Sequence, residues 1–278
     1  MLRERVVPGE PEIFVAWQAG TTDRTLLVIH GGPDWDHSYL RDPLERLDCR
    51  LLMPDLRGCG RSGRVPGEEY HPDGVVRDLL RVLDAFGVER ADVLGHSYGG
   101  MVAQRFAISH PSRVRSLIVS GSSVLPLPPD AFAGWVERDE VLARQEDPWQ
   151  REDLSLEACV RAEALAAAPA NVHRAAAMPG YLRRLGEIRF GAEWVRQLQT
   201  GTLVSPRFPD AAQRIAELGI PVLLLHGRQD MTFPVGLVEP TLELIPRARA
   251  VVLEEAGHMV HVDEPDGYLE AVREFLAG

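Results

Sequence analysis

The residues Gly95-His96-Ser97-Tyr98-Gly99 set a hydroxyl among small neighbours, where an apolar run ending at His96 gives way to a segment with helical spacing. A nucleophilic serine at a sharp strand-to-helix turn needs this pattern. Glycines on either side let the backbone crowd together, the hydroxyl is lifted above the sheet, and the helix N-terminus lies beneath any anion formed there. Such a serine also needs a base and an acid that orients it. Asp230 follows the apolar run "PVLLLHG", and His258 lies in the loop after "ARAVVLEE". Both therefore fall at carboxyl ends of strands, the edge at which α/β sheets bind ligands and at which Ser97 lies. The order Ser97, Asp230, His258 is that of a triad on such a sheet. His261 is a competing base, but it lies toward the start of the last helix, whereas Gly257-His258 has the freedom a loop base needs; His258 is preferred.

Acyl transfer further requires backbone N–H groups aimed at the oxyanion. One is expected from Tyr98, the residue after the nucleophile. The loop "HGGPDW" after the best early strand supplies the other, from Gly32 or, close behind, Gly31, because spacing alone does not choose between them. Asp34 and Trp35 in the same loop are pocket candidates, Asp34 also being a potential cap for the next helix. Glu137 and Glu140, in an acidic stretch with Asp139, Glu146 and Asp147, are candidates to bind an ammonium group, and Trp135, Trp149, Tyr181 and Trp194 to line an apolar pocket. Each has the competing reading of a solvated helix face or of packing within its own layer.

These residues require elements to hold them. "RERVV", "EIFVAWQ", "RTLLVIH" and "CRLLMPD" read as strands, and from residue 24 to 121 strand and helix alternate, which predicts a mostly parallel sheet covered by helices on both faces. Over 124–205 the alternation stops. Helices are expected over "DAFAGWVERDEVLARQ", "SLEACVRAEALAAA", "NVHRAAAM" and "FGAEWVRQLQT", with no convincing strand. Alternation then returns to the final helix "PDGYLEAVREFLAG". The economical reading is one α/β domain in two parts, 1–123 and 206–278, with a helical cap, 124–205, inserted between two strands.

Composition removes other chemistries. All 30 basic residues are arginine, so no Schiff-base lysine, phosphate-loop lysine or lysine general base exists in this chain. A formal net charge of -11 without a basic tract argues against nucleic acid or an anionic membrane as partner. The 3 cysteines, Cys49, Cys59 and Cys159, form no CxxC pair, and the histidines show no metal-ligand spacing, so neither a disulfide scaffold nor a metal is expected. "GCGRSG", Gly58 to Gly63, matches a dinucleotide fingerprint but runs into loop rather than helix, so it reads as a rigid loop with Asp55 and Arg57 in buried polar contacts. No cofactor is required. The start of the chain carries no apolar signal segment, and no run approaches a membrane span, which makes a cytoplasmic protein the expectation; oligomeric state is not legible.

Together, "HGGP" after the third strand, "DLRGCGRS" at Asp55 to Ser62, "GHSYGG" at the elbow, the helical insertion and the later Asp230 and His258 resemble the α/β-hydrolase superfamily across nearly the whole chain. The closer resemblance is to prolyl-iminopeptidase-like serine hydrolases. It implies hydrolysis of a small amide or ester, often with acidic cap residues receiving a substrate amino group. Two positions depart from that pattern: Asp34 stands where those peptidases usually carry glycine, and His96 before the nucleophile is a form shared with many esterases and lactonases. The expectation is a Ser-His-Asp hydrolase acting on a small molecule or short peptide, first as an aminopeptidase, alternatively as a carboxylesterase or lactonase, and in a third reading as a non-catalytic ligand-binding member of the fold.

Overall fold

The computed structural model describes residues 2–278. Eight strands, β1 (Arg3–Val7), β2 (Ile13–Gln18), β3 (Thr25–Ile29), β4 (Arg50–Pro54), β5 (Ala91–His96), β6 (Val114–Ser120), β7 (Val222–Gly227) and β8 (Ala248–Leu253), form one sheet in the order β1-β2-β4-β3-β5-β6-β7-β8. β1 pairs with β2, and β2 with β4, antiparallel; every other pairing is parallel. β3 and β5 to β7 are apolar almost throughout because both sheet faces are covered. Alternate side chains of β3 serve opposite layers: Leu27 and Ile29 face the cluster built with Val75, Leu79, Val102 and Phe106, while Leu26 and Val28 face Tyr39, Leu44, Tyr268 and Val272.

The covering helices are α1 (Pro72–Ala85) and α2 (Tyr98–Ser109), and, after the insertion, α7 (Ala211–Leu218), α8 (Val238–Leu244) and α9 (Pro265–Ala277). The insertion between β6 and β7 carries α3 (Val136–Ala143), α4 (Leu156–Ala166), α5 (Met178–Glu187) and α6 (Glu193–Gln199), and no strand among the described residues. It does not stand apart. Val160, Tyr181 and Leu185 join the same apolar cluster as α9, and Trp194, fully buried, joins the cluster of α1 and α2.

The structure corrects the expected helices here. Residues 172–177 are irregular rather than helical, because the backbone N–H groups of His173 and Arg174 donate outward to the Asp263 carboxylate at 2.9 and 2.8 Å instead of to a preceding turn. The helix begins at Met178, with Pro179 tolerated in its first turn, where N–H groups lack intrahelical acceptors anyway. The stretch expected to be helical from Asp130 contracts to α3, after Gly134 takes φ +81°. α7, an additional helix ahead of β7, is closed by Gly219 in the left-handed conformation.

Candidate active site

The parallel register aligns Ile29 with Gly95, so the loops after β3 and β5 leave the sheet side by side. At the end of β5 the chain reverses into α2 through Ser97, whose backbone adopts φ 55° and ψ -123°, a region that costs a residue with a β-carbon. The turn works only with glycine at both ends. A Cβ on Gly95 would stand 2.1 Å from the Gly99 carbonyl oxygen, and one on Gly99 2.3 Å from that of Ile29.

His258 meets Ser97 across this edge. The Ser97 hydroxyl donates to His258 Nε2 at 3.0 Å, and His258 Nδ1–H donates to Asp230 Oδ2 at 3.1 Å. Asp230 is fully buried, and its other oxygen accepts from the backbone N–H groups of Thr232 and Phe233 at 2.8 and 2.9 Å. Burial alone would raise its carboxyl, but the facing His258, through charge and hydrogen bond, and then His226 outweigh that, so the group lies below its ordinary value. Phe233 stacks against the His258 ring at 5.9 Å. This is a clustered serine-hydrolase triad, with the carboxylate placed to hold the imidazole in the tautomer that general-base work requires.

The remaining histidines take other places. His261 is fully buried and its Nε2–H donates to the Tyr39 carbonyl at 3.2 Å; burial holds its ring well below the ordinary histidine range. His96 is likewise buried and neutral, its ring 5.1 Å from that of His258. His30 braces the loop after β3, donating through Nδ1 to the Gly31 carbonyl at 2.8 Å and accepting the Leu56 N–H at Nε2 at 3.0 Å.

A cavity of about 320 Å³ opens above Ser97 and His258, lined by Gly32, Asp34, Trp35, Val160, Glu163 and Leu198 among others. Gly32 faces it beside Ser97, whereas the Gly31 N–H is already donated to the Tyr39 hydroxyl at 2.8 Å. Tyr98 opens α2 directly after the nucleophile. Asp34 lines the cavity, but both its carboxylate oxygens accept backbone N–H groups of α6, from Trp194 at 3.0 Å and Val195 at 2.7 Å. It caps a helix of the insertion, not the helix that follows it in sequence.

The expected cap candidates lie elsewhere. Glu137 and Glu140 are exposed on α3, a helix with no buried residue, and Glu140 pairs with Arg144 at 3.1 Å. Trp135 packs on Phe132, and Tyr181 is fully buried within the cap with Asn171 Nδ2 donating to its hydroxyl at 3.3 Å. None of these four reaches the cavity wall. The carboxylate that does is Glu163 on α4, with apolar Val160 and Ala164 beside it. Its signal was available: Val160, Glu163 and Ala164 on α4, and Ala167 at its C-terminal cap, share the three- and four-residue spacing of one helix face. Glu163 remains exposed overall, and partial loss of solvent at the cavity wall pushes its carboxyl up, against a hydrogen bond from the Trp149 side chain that lowers it.

Beside the site, Asp36, His37 and Asp55 approach closely enough to share an ion. Their atoms are already committed. Asp55 Oδ1 accepts from His37 Nδ1–H at 2.6 Å and from the His37 backbone at 3.1 Å, its Oδ2 from Arg61 N–H at 2.9 Å, and Asp36 accepts from Ser38 and Arg189. Arg57 likewise forks onto Asp78 at 2.7 and 3.0 Å, making "DLRGCGRS" a rigid loop packed on α1. Among the described residues, no helix is long and apolar enough to cross a membrane.

Residues 24–265 match the family model described as the alpha/beta hydrolase fold. Among curated relatives, a 2-hydroxymuconate semialdehyde hydrolase of Pseudomonas sp. (strain CF600) is 30% identical, with 91% of this chain and 86% of the relative covered. A proline iminopeptidase of Saccharolobus solfataricus is 28% identical, covering 92% and 85%. Among solved structures, the proline iminopeptidase of Mycobacterium smegmatis superposes with a TM-score of 0.74 at 22% identity, covering 99% of this chain and 98% of that one, a likeness of fold. The triad's order and geometry and the extent of these matches agree, and the chain belongs to the alpha/beta-hydrolase fold family.

Proposed function

We propose that the protein is a serine hydrolase of aminopeptidase type, removing a small N-terminal residue such as proline from a short amide. Ser97 attacks the carbonyl as His258 takes its proton, and Asp230 stabilises the resulting imidazolium. The N–H groups of Gly32 and Tyr98 hold the oxyanion, His258 protonates the leaving amine, and water repeats the sequence on the acyl-enzyme. Asp34 and Trp35 belong to the pocket wall. The core in two parts, 1–123 and 206–278, supplies these groups, and the cap over 124–205 roofs them.

The observation that carries the reading is Glu163. It is the cavity-lining carboxylate not committed to a backbone capping pair, it stays exposed and so open to an incoming charged group, and no arginine lines the cavity. A substrate ammonium would supply the missing charge, whereas the carboxylate of a muconate semialdehyde would meet only repulsion. The apolar lining, Val160, Ala164, Val195 and Leu198, supports the second reading, a carboxylesterase or lactonase for small acyl groups.

The deciding measurement is kcat/KM on a proline arylamide, its amine-blocked counterpart, a short-chain aryl ester and an acyl lactone. The free amine should be preferred, and Glu163→Gln should lower arylamide kcat/KM about tenfold while leaving the ester within about twofold, the worth of one hydrogen bond to a charged group at a partly open site. Rapid ester or lactone cleavage with no arylamide turnover selects the second reading.

A further inference from the structure

Two buried aspartates outside the triad tie the cap to the two loops that do the chemistry. Asp34, fully buried, stands two residues after Gly32 with φ 67°, left-handed for a residue that is not glycine. Besides the Trp194 and Val195 N–H groups on its carboxylate, its carbonyl accepts Gly191 N–H at 2.8 Å, so three successive contacts fasten the oxyanion loop to the start of α6. The Trp194 indole N–H donates to the Arg57 carbonyl at 2.9 Å and closes the same junction from the other side.

On the histidine side Asp263 does the corresponding work. Its Oδ2 accepts Gly257 N–H at 2.8 Å and His173 N–H at 2.9 Å, and its Oδ1 accepts Arg174 N–H at 2.8 Å. Met259 N–H donates to the Asn171 carbonyl at 2.8 Å, so both neighbours of His258 are bound to cap residues 171–174 or to the carboxylate that holds them. Burial pushes both carboxyls up, against the backbone N–H groups that lower them. Neither touches Ser97 or His258. Carboxylates placed in so dry a setting are costly unless fully hydrogen-bonded, and these are bonded to the cap alone on one side and to a catalytic loop on the other.

We propose that Asp34 and Asp263 are positioning residues, through which the docked cap sets the oxyanion loop and the His258 loop. The cap is then a fixed part of the catalytic edge as well as a selector of substrate. The proposal needs only the Ser-His-Asp chemistry and stands whichever leaving group is correct.

The test uses p-nitrophenyl acetate, which bypasses the amide or ester question, with active serines counted by a fluorophosphonate. Asn at either position keeps the shape but turns an NH2 toward a backbone donor. For Asp34→Asn and Asp263→Asn, kcat per titrated serine should fall about tenfold or more with KM within about threefold, as expected when reacting groups are held slightly out of place. A variant whose loss lies wholly in protein that cannot be titrated, with normal kcat per titrated serine, would show these residues to be structural only. Should Asp34→Asn fail to fold, Val195→Pro removes the donor from the cap side and should lower kcat per serine in the same way.

Discussion

The loop after β3 and helix α3 of the cap both carry acidic residues in quick succession, yet they obey different physics. In the loop, Asp34, Asp36 and His37 are buried, and each accepts or donates to a named group across the molecule, on α6, at Arg189 and on Asp55. On α3 nothing is buried, Val136 is 66% exposed, and the carboxylates of Glu137 and Asp139 face water. A polar group removed from water must find a partner, and the partner then fixes its place; a group left in water is served equally well in many positions. Acidic residues become part of a site through enclosure, and enclosure is a property of tertiary structure.

The contrast is tested most severely at the centre of the enclosed region. Ser97→Ala should reduce kcat on an activated ester by about four orders of magnitude or more while the protein stays folded, since a triad member acts as part of a unit. Activity near the original level would move the chemistry away from this edge. Next in size is Asp55→Asn. It removes the charge and turns an NH2 toward either the His37 donors or the Arg61 N–H, and should cost about 3 kcal/mol of stability at neutral pH, as breaking a buried polar pair does. Burial alone would raise the Asp55 carboxyl, but the His37 hydrogen bond and charge, followed by His30, hold it below its ordinary value. Its contribution is therefore complete above the ordinary carboxyl range and is lost as pH falls through the depressed value. The stability gap between wild type and variant in urea denaturation should narrow on acidification; a gap that widens would contradict the assignment. The smallest effect belongs to α3. Glu137→Gln with Glu140→Gln should leave stability within about 0.5 kcal/mol and turnover unaltered, as at most exposed positions. A large fall in arylamide turnover would mean that α3 bends over the cavity after all.

What was legible in the sequence follows the same division. Ser97, Asp230 and His258 could be read because each follows a short apolar strand, and parallel strands deliver their carboxyl ends to one edge. That the Gly31 N–H is committed to the Tyr39 hydroxyl was not legible, since spacing does not reveal the contact. The insertion between β6 and β7 was legible as helical, but its individual helix boundaries were not. The segment around His173 has helical composition and is unwound by Asp263, some ninety residues further along the chain. Tyr181 and Trp194, plausible as cavity walls by type, are drawn into the apolar layers beneath the cap.

The cysteines, unremarked by the chemistry, fall one to each layer. Cys49 lies in the cluster under α9, Cys59 in the cluster under α1 and α2, and Cys159 in the cap on α4; all three are free and buried. Burial pushes the Cys49 thiol up to about 11 and the Cys59 thiol well above its ordinary value, so the folded protein withholds thiolate at these two as well as access at all three. With no lysine in the chain to compete for electrophiles, the timing of alkylation at each sulfur becomes a three-point record of unfolding, separating the lifting of the roof from the parting of either face of the sheet.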